Sequence, residues 1–246
     1  MISKALCYTS VGVFCAIILL FAVSSFIRKN IKLKTLAILM ILLAVSATII
    51  SYFLVATTEQ DLTRYYAMLD ELAGQNFSYA FTTFKYKTTP LTALWFFVVA
   101  KIGNYQLLQT LPTLIVFLCV AYIATDVYKT HKPNFQNYAI SFLSCLACVE
   151  MVIVFTTVRY YCAASLLVVA IYRFLYKNKI DAFTFILPAL AMLIHYGCAI
   201  ILIVALLCCY NLKNFNIFFI FSFFILIVLS KALMLIDLPL IAGFGL

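Results

Sequence analysis

The chain has 246 residues, of which 67% are apolar and only 10% are charged. This composition excludes a water-soluble domain around one hydrophobic core, because most of the chain would expose hydrocarbon surface to water. The formal net charge is +9. The Lys and Arg residues stand mainly at the ends of apolar runs, as membrane topology requires, so nucleic acid is not expected as a partner. The sequence therefore predicts an all-α polytopic membrane protein, a single transmembrane domain over 1–246.

The apolar runs set the expected helices. A helix that crosses the hydrocarbon layer needs about 20 apolar residues. The first run is not followed by a small-residue cleavage pattern, so it is expected to be a retained span. The stretch 89–102 is bounded by Pro90 and Gly103 and is too short to cross, which predicts a re-entrant or interfacial half-helix. About eight spans are predicted, at approximately 5–27, 35–56, 105–125, 136–157, 160–176, 182–196, 198–212 and 215–236.

The hydrophilic segment 57–89 follows the second span. Thr57 and Gln60 form a capping-box pattern and Gly74 is a typical helix stop, which predicts a short amphipathic helix over 58–73, outside the bilayer. Residues three or four positions apart share one face of such a helix. The face predicted to present chemical groups consists of Asp61, Arg64, Tyr65 and Met68.

The basic residues predict an orientation. Ten of the 17 Lys and Arg fall on one side of the predicted spans, namely Arg28, Lys29, Lys32, Lys34, Lys129, Lys132, Arg173, Lys177, Lys179 and Lys213. Positive residues are enriched in cytoplasmic loops. That side is therefore predicted to be the cytoplasm, with the 57–89 loop and both termini outside.

Three groups of polar and aromatic residues fall on the predicted outer face. They are Asp61 with Arg64, Tyr65 and Tyr66; Arg159 with Tyr160 and Tyr161; and His195 with Tyr196. One interpretation is an aromatic belt with arginines at lipid headgroups. The other uses the guanidinium fork, which matches phosphate oxygens bidentately, to hold a pyrophosphate. Arg159 is the first candidate for that role, and Arg64 is the second.

Two residues are candidates for proton transfer. His195 is a candidate acid or base because imidazole titrates near neutral pH, although hydrogen bonding to a neighbouring helix is equally compatible with its position. Asp61 is the competing base, or alternatively one partner of a solvated pair with Arg64. Glu150 lies inside a predicted span, where a carboxylate is expected to be paired or functional, and we assign it a structural role.

The sequence has no Gly-rich phosphate loop and no cluster with metal-ligand spacing. Cys145 and Cys148 have no second pair that would complete a zinc site, so they are expected to be small apolar helix residues. Neither a metal nor another cofactor is therefore expected, and the energy for any reaction must come with the substrate.

Taken together, these features resemble the EpsG or Wzy-type bacterial polysaccharide polymerases, a family that includes O-antigen polymerases. Five elements carry the resemblance: the basic turn after the first span; Asp61 and its aromatics after the second; Lys87-Thr-Thr-Pro90 leading to Gly103-Asn104; Arg159 opening a span that ends at Lys177-Asn-Lys179; and Leu190-Ala-Met-Leu-Ile-His195.

The resemblance implies a GT-C-like membrane glycosyltransferase that needs no metal. Its substrate would be an undecaprenyl-pyrophosphate-linked oligosaccharide, joined to the next repeat at the outer face of the bacterial cytoplasmic membrane, and a chain-length regulator would be a further partner. His195 and Asp61 would be catalytic, and the arginines would bind the pyrophosphate. The sugars would contact Tyr65, Tyr66, Tyr160 and Tyr161. The alternative is a non-enzymatic lipid-linked-glycan transporter, or an accessory or inhibitory subunit of a polysaccharide assembly complex.

Overall fold

The computed structural model describes residues 2–27, 30–54, 61–147, 151–177 and 181–210. Helices joined by short turns make up this part of the chain, which contains no β-strand, and this confirms the predicted all-α class. The helices are α1 (Ile2–Ile27), α2 (Leu33–Phe53), α3 (Asp61–Ala73), α4 (Phe77–Thr82), α5 (Pro90–Ile102), α6 (Leu107–His131), α7 (Phe135–Ala147), α8 (Met151–Thr156), α9 (Val158–Ile171), α10 (Ala182–Ile194) and α11 (Cys198–Tyr210). A π-helical turn, Tyr172–Tyr176, continues α9.

Within the described residues, three helical segments are long and apolar enough to cross a membrane: Leu33–Phe53, Leu107–His131 and Val158–Tyr176. Three shorter apolar helices accompany them, over Tyr8–Ser24, Pro90–Ile102 and Ala182–Ile194. The count of about eight spans stays a prediction. The predicted span 136–157 corresponds to α7 and α8, with 148–150 outside the described residues, and the predicted span 215–236 lies outside them as well.

The long helices α2 and α6 run antiparallel and are joined at both ends. At one end the Tyr128 hydroxyl accepts a hydrogen bond from the Ile31 backbone N–H at 3.0 Å. At the other end the fully buried Gln109 amide donates to the carbonyls of Ser51 and Leu54. Arg159, at the start of α9, lies at the Gln109 end, whereas Lys177, after the π-helical turn, lies at the Tyr128 end. We call these the Arg159 end and the Lys177 end.

The Lys177 end carries an ion-pair network. The Lys177 ammonium lies 2.8 Å from Asp126 on α6, and the Tyr172 hydroxyl donates to the same carboxylate at 2.8 Å. Arg173 pairs with Asp181, the residue that caps α10. These contacts tie α6, α9 and α10 together at the end where the basic residues of the predicted cytoplasmic side occur.

Helix α5 has both ends at the Arg159 end of the bundle. Near its start, the Thr92 hydroxyl donates to the carbonyl of Ile194 at 2.7 Å. Just after its end, the Asn104 amide donates to the Tyr52 hydroxyl at 3.1 Å. At about 1.5 Å per residue, its 13 residues span about 20 Å, so α5 covers the predicted half-helix and is shorter than the hydrocarbon layer.

Helix α3 packs on α5 through leucines whose spacing places them on one face of α3. Leu62, Leu69 and Leu72 are fully buried, together with Phe96 and Val99 of α5. The helix ends at Ala73, next to the predicted stop Gly74, and the predicted capping box at Thr57 and Gln60 lies outside the described residues. Helix α4 was not predicted from the sequence, and it begins where the Asn76 side chain accepts a hydrogen bond from the Tyr79 N–H.

Candidate functional site

A break between α8 and α9 positions Arg159. Thr157 interrupts the helix with φ −96° and ψ 55°, and α9 then begins at Val158. Arg159 is therefore the second residue of a helix, where the macrodipole is positive and a cation is unfavourable. The N-terminus of α9 and the guanidinium of Arg159 are both positive, so together they favour the binding of an anion.

The guanidinium of Arg159 lies on an aromatic platform. Its central carbon is 3.7 Å from the centre of the Tyr86 ring and 5.8 Å from that of Tyr65. Tyr86 is held in turn by edge-to-face contacts with Tyr65 and Phe96, with ring centres 6.2 and 5.5 Å apart. Stacking on an aromatic face fixes the plane of the guanidinium and leaves its edge for hydrogen bonds.

Arg159 lacks an acidic partner among the described residues, where no carboxylate lies within ion-pair distance of it. Its Nε is buried and makes no hydrogen bond with any described residue. A buried donor without a partner carries a desolvation cost, which an anionic ligand would remove.

Tyr86 was not among the residues predicted from the sequence. It lies one position before the Lys87-Thr-Thr-Pro90 element, but nothing in the pattern distinguishes it from the other tyrosines. Burial raises the pKa of Tyr86 to about 12, although the Arg159 charge opposes this effect. The phenol is therefore neutral at physiological pH, and the platform under Arg159 is an uncharged ring.

His195 lies in the turn directly after α10, and its ring contacts Tyr160, the residue that follows Arg159 on α9. The ring meets Tyr160 edge to face at 5.7 Å and stacks on Tyr196 at 5.8 Å. Its Nδ1 accepts a hydrogen bond from the Gly197 backbone N–H at 3.2 Å. The Arg159 and His195 groups of the sequence analysis are thus neighbours.

Asp61 and Arg64 pair with each other at the edge of the site. Their closest side-chain atoms are 3.6 Å apart, and the Arg64 side chain is 70% exposed. The negative charge of Asp61 contributes to the raised pKa of Tyr86, so Asp61 is within electrostatic reach of the platform. Arg64 faces solvent, and its nearest described carboxylate is that of Asp61.

The four tyrosines predicted to contact sugars have different surroundings. Tyr65 is only 6% exposed and belongs to the core between α3 and α5. Tyr66 donates its hydroxyl hydrogen to Gln109 at 2.8 Å, and Tyr161 packs against the core between α2, α6 and α8. Tyr160 is 40% exposed, and of these four tyrosines it is the one that is both exposed and in contact with His195. Glu150 lies outside the described residues.

An apolar cleft of about 380 Å³ begins beside Arg159. It runs between α5, α6 and α9, and Arg159 is the charged residue in its lining. Apolar side chains that form its walls include Leu91, Trp95, Leu111, Pro112, Val158 and Ile194. A second apolar cavity, of about 280 Å³ between α9, α10 and α11, has no charged residue in its lining. The cleft beside Arg159 therefore suits a molecule with an anionic head and a hydrocarbon tail, while the second cavity lacks a group for the head.

Comparison of the chain with protein-family models, with curated proteins and with solved structures gives no match. The function is therefore inferred from the chemistry of the site together with the sequence pattern.

Proposed function

We propose that the protein is a metal-independent glycosyltransferase that polymerises polyprenyl-pyrophosphate-linked oligosaccharide repeats at the outer face of the bacterial cytoplasmic membrane. In this proposal the chain crosses the bilayer about eight times in a GT-C-like arrangement. The basic residues of the Lys177 end face the cytoplasm. The Arg159 end then faces outside, where lipid-linked repeats are joined.

The observation that carries the proposal is the environment of the Arg159 guanidinium. Its guanidinium is stacked on Tyr86 at 3.7 Å, has a buried Nε without a described partner, and adds to the positive end of α9. Fixed positive charge of this kind stabilises the pyrophosphate as negative charge develops on it during bond breaking. A pair of charge-assisted hydrogen bonds to phosphate oxygens would also fix the orientation of the leaving group.

The cleft beside Arg159 supports a lipid-linked substrate over a soluble one. Its walls are apolar side chains of α5, α6 and α9, which suit isoprenoid units because burial of hydrocarbon stabilises the complex by roughly 25 cal/mol per Å². A soluble nucleotide sugar would place polar groups against these walls, at a cost in desolvation. The cleft and the guanidinium together match a prenyl chain that ends in pyrophosphate.

In the proposed reaction a hydroxyl of the incoming repeat attacks the anomeric carbon of the growing glycan. The new carbon–oxygen bond forms as the bond to the pyrophosphate oxygen breaks, and polyprenyl pyrophosphate leaves. The hydroxyl proton passes to a base, for which the candidates are Asp61 and His195. Arg159 neutralises the leaving group, with Arg64 as the second cation, and Tyr160 is the exposed aromatic beside the site.

The test is extension of purified lipid-linked repeats by the protein in liposomes, followed as polymer length on a gel with and without EDTA. We expect a ladder of products that EDTA does not abolish. In parallel, cells that lack the protein should accumulate single lipid-linked repeats at the outer face. Repeats trapped inside the cell, with no extension in liposomes, would identify a transporter and refute the proposal.

A further inference from the structure

The turn after α10 fixes which nitrogen of His195 carries the hydrogen in the neutral ring. The Gly197 backbone N–H donates to Nδ1 at 3.2 Å. A backbone N–H can only donate, and an imidazole nitrogen accepts only when it carries no hydrogen. In the neutral ring the proton must then be on Nε2.

The same turn holds the ring in place. A Cβ atom at Gly197 would lie 2.8 Å from Cε1 and 3.0 Å from Nδ1 of His195, closer than carbon atoms normally approach, so a glycine at this position lets the ring fold back over the turn. The ring is further held between Tyr160 and Tyr196. Nε2 makes no hydrogen bond with any residue of the described ranges and remains available to a ligand.

We infer that His195 is a neutral hydrogen-bond donor through Nε2, directed at the anion bound by Arg159, and that it is not the base of the reaction. A base at Nε2 would need the tautomer with hydrogen on Nδ1. In that tautomer the Nδ1–H and the Gly197 backbone N–H, both hydrogen-bond donors, would face each other. The imidazolium form suffers the same conflict and also the repulsion of Arg159. The nature of the anion rests on the proposed function, whereas the tautomer does not. Asp61 then remains as the candidate base.

The tautomer can be measured without any activity. The chain has two histidines, His131 and His195, and His131 lies at the last residue of α6, next to Tyr176 at the opposite end of the bundle. A His131→Gln variant labelled with 15N-histidine gives one imidazole spectrum in detergent micelles at neutral pH. We expect the protonated nitrogen to be Nε2. Protonation at Nδ1 would overturn the inference.

Gly197→Ala is the matched control for this spectrum. Its methyl group displaces the ring and breaks the bond to Nδ1, so the preference for the Nε2-protonated form should weaken and a mixture of tautomers should appear. An unchanged spectrum in Gly197→Ala would mean that the turn does not set the tautomer, and would overturn the inference.

The role is tested by chain extension with two variants of His195. His195→Gln keeps an N–H donor near the position of Nε2 but has no basicity, whereas His195→Ala removes both. We expect the Gln variant to stay within about tenfold of the wild-type rate and the Ala variant to fall by roughly 100- to 1000-fold, as for other donors to developing charge. Equal loss in both variants would assign His195 to proton transfer. If the wild-type protein extends no glycan, the proposed function fails, while the spectrum still decides the tautomer.

Discussion

Replacement of Arg159 by lysine keeps the positive charge and removes the planar fork. In the structure the guanidinium carbon lies 3.7 Å above the Tyr86 ring, and a flat group at that distance is fixed in orientation. An ammonium group is compact and strongly hydrated, and it cannot make two parallel hydrogen bonds to one phosphate. We therefore expect Arg159→Lys to behave as a loss of the group.

The size of the effect follows from the contacts that disappear. In the proposed reaction, loss of a bidentate charge-assisted contact to the leaving pyrophosphate should raise the barrier by about 2 to 4 kcal/mol. At 1.36 kcal/mol per factor of ten, this corresponds to a rate lowered roughly 30- to 1000-fold. The loss should appear in the rate at saturating lipid-linked repeat, because the contact strengthens as charge develops on the pyrophosphate.

The assay is polymer length and initial rate in liposomes, with the amount of folded protein measured by size-exclusion chromatography. Arg28→Lys is the matched control, since it makes the same chemical change at a position predicted on the cytoplasmic side, and its rate should equal that of the wild type. Near-normal extension by Arg159→Lys at normal protein level would refute the reasoning and reduce Arg159 to a headgroup anchor.

Three further predictions test the platform, the packing and the topology. Tyr86→Leu should lower the extension rate by about 2- to 30-fold, the equivalent of a lost cation–π contact of about 0.5 to 2 kcal/mol. Tyr86→Phe keeps the ring and should extend at the wild-type rate. Equal rates in the two variants would contradict the role of the ring. Gln109→Leu should destabilise the protein by about 1 to 3 kcal/mol, seen as a lower midpoint of thermal unfolding in detergent, because it breaks the buried hydrogen bonds that join α2, α3 and α6. The topology is tested with single cysteines in a background without the native cysteines. Cysteines at Asn30 and Asn134 should react with a membrane-impermeant reagent only after the cells are opened, whereas a cysteine at Gln75 should react in intact cells. The reverse pattern would place Arg159 in the cytoplasm.

The sequence predicted the helical class because apolar runs separated by Pro, Gly and basic residues leave few alternatives in a bilayer. It also identified α5, whose start and end follow from Pro90 and Gly103. The face of α3 was only partly recognised. Grouping Tyr65 with Asp61 and Arg64 ignored the leucines on the buried face, and Tyr65 belongs with those leucines.

The composition of the site was less predictable. The contact between Arg159 and Tyr86 joins two segments far apart in the chain, and the packing of α3 on α5 decides which tyrosine reaches the guanidinium. The bond from Gly197 to His195 depends on the rotamer of the ring, which a sequence pattern does not encode. The π-helical turn Tyr172–Tyr176 was likewise not predicted, because the run reads as a continuous helix.

The exposure of the cleft between α5 and α6 has a consequence for how a ligand reaches Arg159. Leu94, Val98 and Leu111 line the cleft and are each more than a third exposed, so one wall of the cleft opens at the side of the bundle. A molecule anchored in the bilayer by its own tail could enter sideways by diffusing in the plane of the membrane. Its rate of encounter with the protein would then depend on its mole fraction among the lipids, and dilution of the surrounding water would leave that rate unchanged.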